Sequence, residues 1–154
     1  HLQLVRPAWR ATARDHWVPV RDGRDVARVV PPSARLLVTL GRAELPGLKA
    51  FRGEVLARVI GTEFGAFPLR RGRFVPGTGP FSVVEEIALL RRLRIDGLVL
   101  RNAGGPGGWP KLAAARQLGL PVMMVARPRR PGGARVETVK EALAWLSKRQ
   151  ISAG

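Results

Sequence analysis

The chain has 154 residues, of which 45% are hydrophobic, and it contains no cysteine. That is enough to bury the core of one domain, while disulfides and thiolate metal sites are excluded. Two histidines, His1 and His16, are too few for the usual catalytic zinc ligand set. Lys+Arg 27 against Asp+Glu 11 leaves a formal net charge of +16. The excess either attracts a polyanion or reflects the Arg, Ala, Gly and Pro bias of GC-rich coding sequence. No apolar run reaches the ~20 residues of a membrane-spanning helix. Leu2–Val5 is too short for the core of a secretory signal, so the expected location is cytoplasmic. The chain opens at His1, without methionine and directly in a strand-like run, which reads as the interior of a longer protein or as a trimmed one.

In chain order, Leu2–Val5 is a short apolar run ended by Arg6-Pro7-Ala8-Trp9, where proline stops the strand pattern. Trp17–Val20 is another short extended piece. Arg21–Val30 reads as a short helix through Val26, Ala27, Val29 and Val30, closed by Pro31-Pro32. Arg35–Leu40 is a continuous apolar run of strand length, suited to a parallel strand covered on both faces. After Gly41, Ala43–Phe51 is helix-like, with Pro46 expected in its first turn. Glu54–Ile60 is a strand candidate, and a Gly- and Pro-rich stretch follows to Gly79. Phe64, Phe67 and Phe74 in that stretch call for local packing.

Ser82 and Glu85 form a capping-box pattern. The helix behind them places Val83, Ile87, Leu90 and Leu93 on one face, with Arg91, Arg92 and Arg94 at its C-terminal end. Gly97–Leu100 is a strand, Lys111–Leu118 a helix with Gly119 as C-cap, and Pro121–Ala126 a strand. A basic loop, Arg127–Gly133, precedes an amphipathic helix over Val136–Arg149 through Val139, Leu143 and Leu146. Helix and strand alternate with short connections, which predicts an α/β fold: a Rossmann-like three-layer domain with a mostly parallel sheet.

In such sheets ligands bind beyond the carboxyl ends of the strands. Two strand ends carry unusual loops. Thr39-Leu40-Gly41-Arg42 combines a tight turn, free helix N–H groups, a hydroxyl and a guanidinium, a set suited to phosphate or carboxylate. Arg101 to Gly108 carries paired glycines that let a backbone approach a ligand and form an N–H concavity. Asn102 adds an amide there, and Lys111 adds a charge on the next helix. Gly77-Thr78-Gly79-Pro80-Phe81 places a third helix N-terminus near the same edge, or simply initiates that helix. His16 reads as exposed, Glu85 as a cap and Glu86 as surface. No nucleophile elbow, P-loop or His-Glu-x-x-His motif is present.

These pieces, taken in order, resemble the precorrin-6A reductases of cobalamin biosynthesis. The Arg-Pro-x-Trp segment is matched by Arg6, Pro7 and Trp9, and the Thr-x-Gly-Arg strand end by Thr39, Gly41 and Arg42. Gly-Pro-Phe before a Glu-bearing helix is matched by Gly79, Pro80, Phe81 and Glu85. The Lys-Asn-Ser-Gly-Gly loop becomes Arg101, Asn102, Ala103, Gly104 and Gly105, followed by Lys111, Ala114, Ala115 and Arg116. Pro121–Val125 with Arg127 and Pro128 completes the series. Arg101 keeps the loop lysine's charge in a different shape, Ala103 loses a hydroxyl, and Thr78 replaces the arginine usual before Gly-Pro-Phe.

The resemblance implies NADPH-dependent reduction of a double bond in the precorrin-6A macrocycle to give precorrin-6B, with no metal. It implies cofactor contacts from Thr39, Gly41, Arg42, Arg101, Asn102, Gly104 and Gly105, and tetrapyrrole contacts from Gly79, Phe81, Lys111 and Arg6. It also implies two Rossmann-like domains, of which residues 1–154 form the C-terminal one, the family's N-terminal domain being absent from this sequence. The catalytic proton donor is left open. Two other classes compete. One is a basic nucleic-acid-binding module using Arg91, Arg92, Arg94 and Arg127 to Arg130, against which stand 6% aromatic residues and no tyrosine. The other is an inactive domain of the same fold that binds only a partner chain.

Overall fold

The computed structural model describes residues 1–61 and 64–152. Six parallel strands form the main sheet: β2 (His16–Val20), β3 (Arg35–Val38), β4 (Glu54–Val59), β5 (Gly72–Pro76), β6 (Gly97–Arg101) and β7 (Pro121–Val125). Their order across the sheet is β2-β7-β6-β3-β4-β5. β1 (Leu2–Leu4) instead pairs in parallel with β8 (Ala134–Val136) in a separate two-stranded sheet.

The apolar runs of the central strands are explained by their two covered faces. Leu36, Val38, Val55, Ala57, Val99, Met123 and Val125 pack on one side with Val26 of α1 (Gly23–Val29) and Leu45 and Leu48 of a 3-10 helix (Arg42–Leu48). Leu37, Leu56, Leu98, Leu100, Val122 and Met124 pack on the other. There they meet Leu90 of α2 (Val83–Arg92) and Leu112, Ala114 and Ala115 of α3 (Trp109–Leu118). Alternate residues of one strand therefore serve opposite layers, and the result is the expected three-layer α/β domain.

Capping follows the sequence. The Ser82 hydroxyl accepts from the Glu85 N–H at 3.1 Å, and the Ser82 N–H donates to the Glu85 carboxylate at 2.6 Å. Gly119 closes α3 in the left-handed conformation, φ +67°. Elsewhere the structure corrects the reading. The helix expected over Ala43–Phe51 is a 3-10 helix over Arg42–Leu48, and Pro46 lies inside it rather than in the first turn. Proline has no N–H and crowds the preceding turn, so a regular α-helix is disfavoured there. The Gly/Pro-rich stretch contains edge strand β5. Val136 belongs to β8, and the terminal helix α4 runs over Val139–Ser152.

Candidate functional site

Because all six strands are parallel, their carboxyl ends share one edge. From β3 the chain moves outward through β4 to β5, then returns to place β6 on the other side of β3. The strand order reverses between β3 and β6, which is where open α/β sheets form a ligand crevice. The Thr39 N–H donates to the Val99 carbonyl at 3.0 Å and extends this pairing beyond β3. The two loops singled out in the sequence, Thr39–Arg42 and Arg101–Gly105, are therefore neighbours.

Glu44 locks them together. Both terminal nitrogens of Arg101 donate to the Glu44 carboxylate, Nη1 to Oε2 at 3.0 Å and Nη2 to Oε1. Arg101 Nε donates to the Ala126 carbonyl at 3.3 Å, and the Gly41 N–H donates to Glu44 Oε2 at 3.3 Å. The expected anion cradle thus already holds a carboxylate of its own chain. Arg101 is a bridge between strand ends, and an external anion at Gly41 would compete with Glu44. Sequence reasoning passed over Glu44, although its position three residues after Gly41 is a capping signal. Arg42 lies exposed at the rim, its guanidinium 5.4 Å from the Phe64 ring centroid and 6.0 Å from that of Phe74.

The second loop turns inward. Asn102 Oδ1 accepts from the Trp9 N–H at 2.9 Å, and its Nδ2 donates to the Trp9 carbonyl at 2.9 Å. The Trp9 indole donates to the Gly105 carbonyl at 2.8 Å. Gly104 and Gly105 adopt φ of +66° and +76°, and a Cβ on Gly104 would stand 2.0 Å from the Pro7 carbonyl oxygen. The paired glycines are thus required by contact with Arg6–Trp9. Arg127 clamps the same junction, donating to the Asn102 carbonyl at 2.6 Å and to the Arg6 carbonyl at 2.9 Å. Its Nη2 is buried with no hydrogen-bond partner among the described residues. A cavity of about 250 Å³ lies beside this clamp, lined by Ala8, Val20, Asn102, Met124 and Arg127 among others. An unsatisfied buried donor there fits an acceptor oxygen. The sequence places Arg127 in a basic loop and in the Arg-Pro pair of the resemblance, with no sign of this clamp.

The third segment gathers a different cluster. Arg58 donates to Glu86 at 2.6 Å, and its guanidinium stacks 4.1 Å from the Phe81 ring centroid. Glu86 is only 2% exposed, which corrects its reading as a surface residue: position 86 of the capped helix faces β4, where Arg58 neutralises it. Lys111 stands in the first turn of α3. Burial lowers its pKa first of all, Glu86 opposes that shift and Arg58 adds to it. Gly79 lies exposed before Phe81. The structure brings Phe81, Arg58, Glu86 and Lys111 to one side of the carboxyl edge, while Arg6 lies with the Asn102 loop. A further pair, Arg116 with Asp15 at 2.9 Å, ties the loop before β2 to α3. Its guanidinium draws the Asp15 pKa down to about 2.

Among the described residues no group of three metal-ligating side chains could hold an ion, and no helix is long and apolar enough to cross a membrane. The chain matches the family described as "Precorrin-6x reductase CbiJ/CobK" over residues 1–147. It is 38% identical over 149 residues to a precorrin-6A reductase of Rhodococcus erythropolis, covering 93% of this chain and 58% of the relative. The corresponding protein of Rhodobacter capsulatus is 35% identical over 144 residues, covering 92% and 57%. A solved structure titled "CobK precorrin-6A reductase" superposes with a TM-score of 0.85 at 35% identity, over 94% of this chain and 59% of that one. The chain thus spans under two thirds of the length of these relatives. It belongs to the precorrin-6x reductase family.

Proposed function

We propose that the chain takes part in NADPH-dependent reduction of a carbon–carbon double bond in precorrin-6A, giving precorrin-6B in cobalamin biosynthesis. The observation that carries the reading is the reversal of strand order between β3 and β6, where the Gly41 and Arg101 strand ends are joined through Glu44. When bound, the nicotinamide supplies a hydride, and a proton completes addition across the double bond while NADPH becomes NADP⁺. The chain's own residues bind and orient. Arg42 and the Thr39 hydroxyl are offered at the rim for a dinucleotide phosphate. Asn102, Gly104 and Gly105 act by shaping the wall against Arg6–Trp9. Gly79, Phe81 and Lys111 face the tetrapyrrole, with Lys111 pairing one of its carboxylates.

Residues 1–154 would then form one side of a two-part cleft, in line with their 57–58% share of the relatives' length. The family's remaining length would cover α4, whose Val139, Leu143 and Leu146 are 63%, 60% and 50% exposed. The setting is the cytoplasm. A second reading, a domain that has lost the cofactor and binds only a partner chain, draws on Glu44 standing in the anion cradle.

Anaerobic incubation of the chain with NADPH and precorrin-6A tests the proposal. Oxidation of one NADPH per macrocycle, with a product two hydrogens heavier, supports catalysis. Binding of NADPH without turnover limits the chain to holding the cofactor. Absence of binding to either compound favours the partner-binding reading.

A further inference from the structure

A second cavity lies at the opposite, amino-terminal edge of the sheet. It measures about 780 Å³ and is lined by Lys49, Arg52, Arg70 and Arg71 around Phe51, Val55 and Leu69. No carboxylate lines it, and among the described residues no hydrogen bond or ion pair engages the four cationic side chains. The nearest acidic neighbour in sequence, Glu54, is paired with Arg35 at 2.9 Å.

The walls are built by backbone rather than by loose side chains. A Cβ on Gly53 would fall 2.2 Å from the Ala34 carbonyl oxygen and 2.3 Å from the Phe51 ring. One on Gly72, φ +139°, would fall 1.9 Å from the Val55 carbonyl oxygen. The Val55 N–H donates to the Arg71 carbonyl at 3.1 Å. These close approaches hold Arg52 on one wall and Arg70 and Arg71 on the other, at the start of β4 and β5. Four like charges held around one concavity repel one another, and an anion placed among them relieves that repulsion. Guanidinium forks select oxyanions, while Phe51 and Leu69 give an apolar body something to rest on.

We propose that this cavity is a second binding site, distinct from the carboxyl-edge crevice, for an organic polyanion: several carboxylate or phosphate groups on an apolar frame. The proposal does not depend on the reductase reading, because none of its residues lies at the crevice.

Calorimetric titration with mellitate and with ATP, at fixed ionic strength, distinguishes the carboxylate and phosphate sources. Inorganic phosphate serves as the bare anion. The test variant is the exposed pair Arg52→Glu/Arg70→Glu. The control is Arg129→Glu/Arg130→Glu, which changes net charge equally in the exposed loop before β8. One organic anion should bind with unit stoichiometry. The test variant should weaken it about tenfold or more, as loss of charge-assisted hydrogen bonds requires, with the control within about twofold. Equal weakening in both variants would reduce the effect to the overall field of the protein and overturn the proposal. So would no binding of either anion, or inorganic phosphate binding as tightly as the organic ones. Binding weakened by Arg42→Ala and not by the test variant would put the anion at the crevice instead and overturn the proposal.

Discussion

Replacing Gly104 with alanine probes the junction on which the candidate crevice depends. The residue sits at φ +66°, and its Cβ would stand 2.0 Å from the Pro7 carbonyl oxygen and 2.9 Å from Arg127 Nη2. Holding a residue with a side chain in the left-handed region costs about 1–2 kcal/mol. The Pro7 oxygen is backbone, so the overlap is relieved only by moving Arg6–Trp9 away from the loop. That movement breaks the two bonds between Asn102 and Trp9 and the bond from the Trp9 indole to Gly105. At roughly 1 kcal/mol for each net hydrogen bond, the expected destabilisation is about 4 kcal/mol in all. Urea unfolding followed by tryptophan fluorescence measures it. Gly107, whose Cβ would meet nothing within 4 Å, is the control, and alanine there should cost at most about 0.5 kcal/mol. A Gly104→Ala variant within about 1 kcal/mol of the parent would refute the claim that these glycines exist to admit the Arg6–Trp9 segment.

Glu86→Gln leaves the Arg58 guanidinium buried without its counter-charge, and chemical denaturation should show a loss of about 3 kcal/mol. The double replacement Arg58→Met/Glu86→Leu should cost less than Glu86→Gln alone; a greater cost would contradict the account of this pair. Lys111→Met should stabilise the fold at neutral pH by roughly 0.5–1 kcal/mol, since burial works against the ammonium. That gain should shrink in alkali, as the folded state releases the Lys111 proton before the unfolded state does. Asp15, with a folded pKa of about 2, contributes stability that is full above the ordinary carboxylate value of 3.8. It is lost as pH falls towards 2, so the slope of stability against pH in that window should flatten in Asp15→Asn. Glu44→Gln should cost about 0.5–1 kcal/mol, because the pair is half exposed. It should also tighten NADPH binding by releasing the Gly41 N–H and Arg101.

The strands with two covered faces were legible because most of their positions are apolar: Arg35–Leu40, Glu54–Ile60, Gly97–Leu100 and Pro121–Ala126 match β3, β4, β6 and β7 within a residue or two. The caps, Ser82 with Glu85 and the left-handed Gly119, were legible because their partners lie within about one turn of chain. β5 was hidden because an edge strand buries little; of its five residues only Val75 is buried. β8 was hidden because pairing with β1, more than 130 residues away in sequence, leaves no local pattern. At the site, the adjacency of Thr39–Arg42 and Arg101–Gly105 was legible through the rule that ligand loops follow parallel strands. The pairing of Glu44 with Arg101 and of Asn102 with the Trp9 backbone was not, because both are tertiary contacts. The burial of Glu86 was missed because a carboxylate on a capped helix is ordinarily solvated unless a partner such as Arg58 arrives from another element.

Whether a dinucleotide docks where β3 and β6 part is decided by titrating the chain with NADPH beside Arg42→Ala. Docking there predicts micromolar binding, weakened about tenfold by loss of the Arg42 guanidinium. Absence of binding, or binding indifferent to Arg42, would contradict it.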